Sequence, residues 1–534
     1  MKFAYQITPA IIGATVALVQ TQVAVALSAS EVNNVAKQIT VLIQSKKPRY
    51  GSGVIIKKDG NTYTVLTAAH VVEVKDNYEI ILPNGRRYAI NYSSVKQLPG
   101  VDLAVVQFSS NQKYNVAKIG NSDSSSEGTT AYVAGFPAPT FAINQSIYTF
   151  SDGRITANTS KPLRDGYALV YSNNTSEGMS GGAVLNDKGE LIAIHGRADK
   201  DAKEIKTGFN LGIPINTFLR LSARTGVDTG VSAPNTSVAK APKAGDFYIQ
   251  AGDKYDKGDY QGAIADYTQA ISLNPKYTEA YYNRGNARSK LKDLQGAIAD
   301  YNLAIKNNPN FAYAYFVRGI VRAELGDAQG AIADFTLGLK IDPNYAYGYI
   351  ARGITYHVFL NNKQAAIADY TLALKIDPNF ATAYHQRGLV RYYLEDYKGA
   401  IPDFDSAIKI NPNHAQAYYR RGLARYYLED KQGAIVDYTA AIKINPNYAQ
   451  AYYFRGMART QLGDKQGAIA DFDSAIKINP NDAYTHNQRG LARAQLGDKQ
   501  GAISDLQKAA NIYQQEGKSL FYQDAINNIR QLQQ

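Results

Sequence analysis

The chain has 534 residues, several times the length of a typical domain, so two or more folding units are expected. With 45% hydrophobic and 19% charged residues, it is neither a mostly disordered nor a fibrous protein. The net charge is +12, but lysine and arginine form no basic block, so no nucleic-acid partner is expected. The sequence contains no cysteine, which excludes disulfides, thiolate zinc sites and cysteine nucleophiles.

The N-terminal segment has the pattern of a secretory signal. A weakly apolar stretch over residues 10–27 follows a basic residue, and small residues fit cleavage near Ala26 or Ser28. We predict a signal peptide over residues 1–28 and therefore an exported protein, periplasmic or extracellular. The alternative is an uncleaved membrane anchor, although polar residues at 20–22 interrupt the stretch. Membrane contact is expected only in that case.

Residues 31–225 have the pattern of a mainly β domain. Short apolar runs alternate with turn residues; the runs include 39–43, 53–56, 63–66, 79–82 and 103–106. The turn signals Asp59–Asn61, Pro83–Gly85 and Asp187–Gly189 occur at hairpin spacing. An antiparallel sandwich or barrel is therefore predicted.

Residues 226–243 have no periodic apolar face and are rich in small, turn-forming residues. This composition predicts a flexible linker between two folded regions.

The rest of the chain repeats with a period of 34 residues. Gly-Ala-Ile recurs at this spacing, with its glycine at 262, 296, 330, 399, 433, 467 and 501. The fourth copy slips by one residue, which predicts a one-residue insertion in the turn at 360–363. Eight units fit residues 244–516: 244–277, 278–311, 312–345, 346–380, 381–414, 415–448, 449–482 and 483–516. Residues 517–534 lack the pattern and are predicted to form a capping helix.

Each unit reads as two helices joined by a tight turn, with small residues such as Gly422 and Ala434 where the helices approach. An aromatic residue in each unit is expected to fill the space between them. This pattern resembles the tetratricopeptide repeat (TPR), which implies an all-α solenoid. Two positions depart from it: Arg421 stands where the family usually has Leu, so the site is expected to be partly polar, and Ala251 replaces the first-helix Gly.

Three short motifs in the β region carry residues suited to nucleophilic catalysis: His70, Asp102 and Ser180. A serine hydroxyl becomes a good nucleophile when an imidazole takes its proton, and a carboxylate holds that imidazole in one tautomer. Glycines around Ser180 allow a tight turn in which the backbone N–H groups of Gly178 and Ser180 point at a developing oxyanion. Each motif alone is more often structural, but the combination is specific.

The order His, Asp, Ser on a β-rich scaffold resembles the chymotrypsin-like serine peptidases. This resemblance covers residues 31–225 and implies two β-barrels, peptide-bond hydrolysis and a catalytic triad of His70, Asp102 and Ser180. No cofactor is implied. Met179 departs from the Asn or Asp often found before the family's serine.

The glutamyl endopeptidases of this family place a Thr five residues before the nucleophile and a His fifteen after it. The same offsets give Thr175 and His195, so the resemblance implies a pocket for Glu. Alternatively, His195 merely terminates the strand at 191–194. Asn174 stands where members that cleave after Lys or Arg have Asp. No metal site is predicted, since the six His form no ligand-spaced pair.

Thirty of the 41 Tyr lie in residues 244–534, many of them on first helices, which in the TPR family line the concave groove. Consecutive helical residues diverge by about 100°, so pairs such as Tyr392–Tyr393 and Tyr426–Tyr427 cannot all point inward. We expect some to contact a protein partner in the groove.

The sequence thus predicts a multidomain exported serine endopeptidase: an all-β double-barrel domain followed by an all-α TPR solenoid that recruits a protein substrate or scaffold. Two alternatives remain. One is a non-catalytic binding or assembly protein with a peptidase-like domain, and the other is a quality-control protease for unfolded exported proteins.

Overall fold

The computed structural model describes residues 26–46, 49–140, 144–200, 206–225 and 241–534. The chain forms two compact units that divide between Ala287 and Arg288. The predicted signal peptide and linker lie outside the described residues, apart from the last three residues of each. In the described part of the chain, no helix has the length and apolar character needed to cross a membrane.

The first unit begins with helix α1 (Ala29–Ile39), which the β-rich sequence pattern did not indicate. The Ser28 side chain accepts a hydrogen bond from the Glu31 N–H, and the Glu31 carboxylate accepts one from the Ser28 N–H at 2.8 Å. Val32, Ala36 and Ile39 form the buried face of the helix. A capping box followed by apolar residues at helical spacing explains why this segment is a helix.

The first lobe of this unit is an antiparallel sheet. Its strands are β1 (Thr40–Ser45), β2 (Tyr50–Asp59), β3 (Thr62–Thr67), β4 (Tyr78–Ile81), β5 (Arg87–Ile90), β6 (Lys96–Gln97) and β7 (Ala104–Ser109), in the order β5-β4-β1-β2-β3-β7-β6. The β2–β3 and β4–β5 hairpins turn where the Asp-Gly-Asn and Pro-Asn-Gly patterns predict. A four-residue helix, α2 (Ala69–Val72), follows β3.

The second lobe is a closed six-stranded barrel. Its strands are β8 (Thr130–Gly135), β9 (Thr149–Asn158), β10 (Leu169–Tyr171), β11 (Ala183–Leu185), β12 (Leu191–Lys200) and β13 (Lys206–Pro214), followed by helix α3 (Ile215–Thr225). The predicted all-β peptidase domain of two lobes is confirmed, although only one of the two predicted barrels is closed. One lobe is a closed barrel, and the other is a seven-stranded sheet.

The first helical repeat belongs to the same compact unit as the two lobes. It consists of α4 (Ala244–Asp256) and α5 (Tyr260–Leu273), and α6 (Thr278–Lys290) follows. Arg220 of α3 donates to Asp246 of α4 at 2.7 Å, with both side chains almost fully buried. Ile249 of α4 is buried in the same apolar cluster as Phe218 of α3. The compact unit therefore continues past the predicted linker.

The second unit is made of helices at the predicted positions. They are α7 (Leu294–Asn307), α8 (Ala312–Glu324), α9 (Ala328–Ile341), α10 (Ala346–Val358), α11 (Lys363–Ile376), α12 (Ala381–Tyr393), α13 (Tyr397–Ile410), α14 (Ala415–Tyr427), α15 (Lys431–Ile444), α16 (Ala449–Gln461), α17 (Lys465–Ile478), α18 (Ala483–Gln495), α19 (Lys499–Gln515) and α20 (Ser519–Gln533). Second helices start at an Asp cap, or at Asn362 in α11: Asp430, for example, accepts from the Gly433 N–H at 2.8 Å.

The arginine that precedes the first-helix glycine binds a buried aspartate on the second helix. Arg421 contacts Asp437 at 2.5 Å, and Arg425 contacts the same carboxylate at 2.9 Å. This confirms a polar site at the position where the sequence departs from the TPR pattern. The spacing from this Arg to its Asp is 16 residues here and 17 between Arg352 and Asp369, as the predicted one-residue insertion requires.

Glycine and an aromatic ring meet between paired helices, as predicted. A Cβ at Gly422 would lie 2.8 Å from the Tyr438 ring, which is fully buried. Tyr393 and Tyr427 are 44% and 49% exposed. The expectation that consecutive tyrosines cannot all point inward is thus confirmed.

Candidate active site

The structure brings His70 and Asp102 together. His70 lies on α2, immediately after β3, and Asp102 lies just before β7, the strand that pairs with β3. The His70 Nδ1 atom is 2.7 Å from Asp102 Oδ2, and the His70 backbone N–H donates to Asp102 Oδ1 at 2.9 Å. Two bonds to one carboxylate fix the imidazole with its proton on Nδ1, which leaves Nε2 able to accept a proton.

The two groups stabilise each other's charged forms. Burial by itself lowers the pKa of His70, but the hydrogen bond and negative charge of Asp102 outweigh it, so the pKa of His70 is raised. Burial raises the pKa of Asp102, but its hydrogen bond with His70, the charge of that ring and the hydroxyl of Tyr167 outweigh it. The pKa of Asp102 is therefore lowered. The pair is suited to hold a proton on the imidazole during a reaction.

The Tyr167 hydroxyl is a third donor to the Asp102 carboxylate, and the sequence alone did not indicate it. This hydroxyl donates to Asp102 Oδ2 at 2.5 Å. The Tyr167 ring lies so close to Gly196 that any side chain there would collide with it. Arg197 lies over the ring, with its guanidinium carbon 4.8 Å from the ring centre. No short motif links residues 65 positions apart, so only a fold pattern could have indicated this contact.

Ser180 lies in a tight turn between β10 and β11. The next residue, Gly181, has a φ of +87°, which favours glycine, and a Cβ there would collide with the Ser52 carbonyl. The Ser52 N–H of β2 donates to the Ser180 carbonyl at 2.7 Å, and the Gly181 N–H donates to the His195 carbonyl at 2.7 Å. Backbone bonds from both lobes thus hold the turn, and Ser52 is a second residue that sequence reasoning missed.

The Ser180 hydroxyl donates to the Gly196 carbonyl at 2.5 Å, at a register shift in β12. Within the described residues, no hydrogen bond joins Ser180 directly to His70. Ser180 is connected to Asp102 indirectly: Gly196, which accepts from Ser180, packs against the Tyr167 ring, and the Tyr167 hydroxyl donates to Asp102. The structure therefore links the three motifs through Gly196 and Tyr167, and the Ser180 hydroxyl is bound to a backbone carbonyl. Hydrogen bonds between catalytic groups are often long or poorly aligned until substrate binds.

The Gly178 and Ser180 N–H groups remain available in this turn, because neither donates to any residue that the structure describes. Gly178 has a φ of +90°, and its carbonyl accepts from the Ser52 hydroxyl at 3.1 Å. Met179, between them, is fully buried in the barrel core, and its Sδ accepts from the Ser176 N–H at 3.4 Å. The unusual Met thus packs inward.

Thr175 and His195 are held in separate polar contacts. The Thr175 hydroxyl donates to Asn210, and the His195 Nδ1 atom is 2.6 Å from the Tyr171 hydroxyl. His195 lies inside β12, not at its end, and is 2% exposed. Burial, and secondarily the charge of His70, lowers the pKa of His195 to about 3, so this imidazole is neutral at neutral pH. Asn174 is exposed.

Sequence comparisons agree with this fold. The profile of the family described as trypsin-like peptidase domain matches residues 51–194. TPR profiles match residues 253–292, 278–311, 297–346, 346–380, 388–429, 415–448 and 456–497.

Among curated proteins, the serine protease Do-like HtrA of Bacillus subtilis is 28% identical over 169 residues, which make up 31% of this chain and 37% of that protein. The serine endoprotease DegS of Haemophilus influenzae is 29% identical over 184 residues, or 33% of this chain and 51% of that protein. The chain thus spans about half or less of the length of these relatives.

Among solved structures, YrrB, described as a TPR protein with an unusual peptide-binding site, is 25% identical. The match covers 35% of this chain and 95% of that one with a TM-score of 0.31. A likeness at this TM-score does not establish a shared function. On the sequence matches and the fold together, the chain carries a trypsin-like peptidase domain related to the HtrA and DegS serine proteases, followed by tetratricopeptide repeats.

Proposed function

We propose that the chain is a serine endopeptidase with His70, Asp102 and Ser180 as its triad. The observation that carries the proposal is the Asp102 carboxylate, which holds both the ring and the backbone of His70 next to a glycine-flanked serine turn. Two relatives of the same domain are named as serine proteases, which supports the same activity.

In the proposed reaction, the Ser180 hydroxyl leaves the Gly196 carbonyl and gives its proton to His70 Nε2 as its oxygen attacks the scissile carbonyl carbon. The Gly178 and Ser180 N–H groups donate to the resulting oxyanion. His70 then passes the proton to the leaving amine, and the acyl group stays on Ser180. Water hydrolyses this ester by the same steps in reverse order, with His70 again as base and then as acid.

A fluorophosphonate probe tests this proposal, since it labels a serine only when a neighbouring base activates it. We expect Ser180 to be the labelled residue, and Ser180→Ala to lose peptide hydrolysis by a factor on the order of 10⁶ with an unchanged circular dichroism spectrum. Ser176→Ala, an exposed serine four residues away in the same loop, is the matched control and should label normally. An unlabelled but folded wild type would favour the non-catalytic binding protein.

We further propose a preference for Glu at the cleaved bond, with Thr175 and His195 in the pocket. Because His195 is buried and neutral, it would recognise a carboxylate by hydrogen bonding and not by charge. If the Tyr171 hydroxyl donates to Nδ1, the His195 proton lies on Nε2 and can be donated to a substrate.

The repeats are proposed to bind a protein substrate or scaffold, and the exposed rings of Tyr393 and Tyr427 support this role. Export is proposed from the N-terminal sequence. One relative, from Buchnera aphidicola and 28% identical, is named a probable periplasmic endoprotease.

A further inference from the structure

The segment 159–168, between β9 and β10, holds Asp102 from the barrel side. The Asp102 N–H donates to the Asp165 carbonyl at 3.0 Å, and the Tyr167 hydroxyl donates to the Asp102 carboxylate at 2.5 Å. The position of the carboxylate therefore depends on where this segment lies.

Other atoms of the same segment bind the first repeat. The Arg164 guanidinium donates to the Gly252 carbonyl at 3.0 Å and to the Asp256 carboxylate at 2.9 Å, both on α4. A Cβ at Gly245, also on α4, would lie 2.6 Å from the Pro162 ring. Helix α4 thus contacts this segment at three points along its length.

Helix α4 also packs against the chain that leads into Asp102. Gly100 has a φ of +74°, and a Cβ there would lie 2.8 Å from the Ile249 carbonyl and 2.9 Å from the Asp253 Cβ. Val101 is buried in the same apolar cluster as Ile249. The contact is close enough that α4 and the residue two positions before Asp102 cannot move independently.

We propose that α4, the first TPR helix, is a positioning element of the peptidase: through Arg164 and through Gly100 it holds both segments that place Asp102 against His70. This inference rests on the proposed function, since it assigns a role to the carboxylate of the proposed triad. It gives the first repeat a task besides partner binding. Arg164 and Ile249 are positioning residues and do not touch the reacting atoms.

The pH profile reports on this role. The charged groups that face His70 are Asp102 and Glu73, which favour its protonated form, and Arg197, which opposes it. The neighbouring His195 is neutral. If Asp102 moves away from Nδ1, the pKa of His70 falls, because burial then acts with less opposition. The acid limb of the kcat/KM profile reports the deprotonation of His70 in the free enzyme, so it moves to lower pH. The maximum value of kcat/KM falls at the same time.

The experiment compares full-length variants. Arg164→Ala removes both bonds to α4 from a side chain that is 43% exposed, so folding should survive. Gly100→Ala forces α4 and the Asp102 segment apart. Lys254→Ala, on the same helix, is the matched control, because Lys254 pairs with Asp266 of the repeat itself at 2.8 Å. Readouts are kcat/KM per labelled active site across pH, thermal melting and an NMR titration of His70.

A displacement of about 1 Å costs on the order of 10²-fold in rate, so we expect such a loss for Gly100→Ala and about a tenfold loss for Arg164→Ala. Both should shift the acid limb and the His70 titration to lower pH, and Lys254→Ala should shift neither. Variants that only lower the melting temperature or the labelled fraction would overturn the inference. If the wild type itself fails to label, the proposed function fails, and the His70 titration alone decides whether α4 positions Asp102.

Discussion

At the scale of single residues, the carboxylate of Asp102 is held by more donors than the triad alone supplies. The Tyr167 hydroxyl donates to the same oxygen as His70 Nδ1, at 2.5 and 2.7 Å. Hydrogen bonds to a charged group contribute about 1.5–3 kcal/mol each. The hydroxyl therefore stabilises the ionised carboxylate, and the ring fills the space that Gly196 leaves open.

Tyr167→Phe separates these two roles, because it keeps the ring and removes the hydroxyl. We expect kcat to fall about tenfold, which corresponds to about 1.4 kcal/mol of lost transition-state stabilisation. The melting temperature should fall by a few degrees, because one hydrogen bond to a charged group is lost. Tyr167→Ala should also destabilise the fold, since it leaves a cavity beside Gly196. Unchanged kcat in Tyr167→Phe, measured on a small fluorogenic peptide, would show that His70 alone orients Asp102.

The specificity proposal depends on the imidazole of His195. We expect faster cleavage after Glu than after Phe, Lys or Ala in a matched peptide series, and His195→Ala should erase that preference more than it lowers overall activity. Tyr171→Phe should weaken the preference too, because it frees the imidazole from the hydroxyl at 2.6 Å. A native preference for apolar or basic residues would mean that His195 is structural.

The sequence could predict the residues that need a particular chemistry but not those that hold them. His70, Asp102 and Ser180 stand in recognisable local motifs. Ser52 and Tyr167 do not, because a serine in a strand and a tyrosine in a loop are ordinary there. Their roles arise when the fold brings Ser52 to a turn 126 residues away and Tyr167 to Asp102.

At the scale of elements, helix pairs in the second unit share a buried ionic centre. Asp437 is 1% exposed and binds Arg421 and Arg425, and Arg421 also binds Asp405, which is 49% exposed. A 34-residue period predicts such helix pairs well, since the same glycine and aromatic positions recur. It could not predict which aspartate meets the extra arginine, because the contact joins two helices.

Asp437→Ala should therefore be far more damaging than Asp405→Ala. Removing the buried partner leaves Arg421 and Arg425 with only the half-exposed carboxylates of Asp405 and Asp430, and it costs up to about 3–5 kcal/mol. Loss of an exposed pair costs at most about 1 kcal/mol. The urea midpoint of the helical circular dichroism signal measures the difference. Equal, small shifts in the two variants would show that apolar packing alone holds these helices together.

Helix α1 shows how an element can be missed although its signals are present. Its capping box and its buried residues at positions 32, 36 and 39 are typical of an amphipathic helix. Two longer patterns mask these signals, because the helix begins where the predicted signal peptide ends, and the apolar run that continues into β1 begins at its last residue, Ile39. Local signals that overlap a longer pattern are easily assigned to that pattern.

At the scale of the whole molecule, the sequence placed a domain boundary in residues 226–243, whereas the first compact unit continues to Ala287. Composition identifies a stretch without an apolar face, but it does not show that the helices beyond that stretch pack back on α3. The buried pair of Arg220 and Asp246 and the burial of Ile249 decide this.

Two truncations follow from this boundary. A chain ending at residue 225 loses Asp246 and leaves the Arg220 side chain, which is only 4% exposed, without its closest partner. We expect this chain to be unstable and to cleave even small peptides poorly.

A chain ending at Lys290 keeps α4, α5 and α6, so it should cleave small peptides at the full-length rate. It should cleave its protein substrate more slowly, because the deleted repeats can no longer bind that substrate. Tethering would otherwise raise the local substrate concentration to about the millimolar range. The measurement is kcat/KM of the three chains on one fluorogenic peptide and on extracellular protein extracts. Full small-peptide activity in the chain ending at residue 225 would contradict both the extension of the first unit past the linker and the role of α4. Full-length activity of the chain ending at Lys290 on protein extracts would contradict recruitment by the second unit.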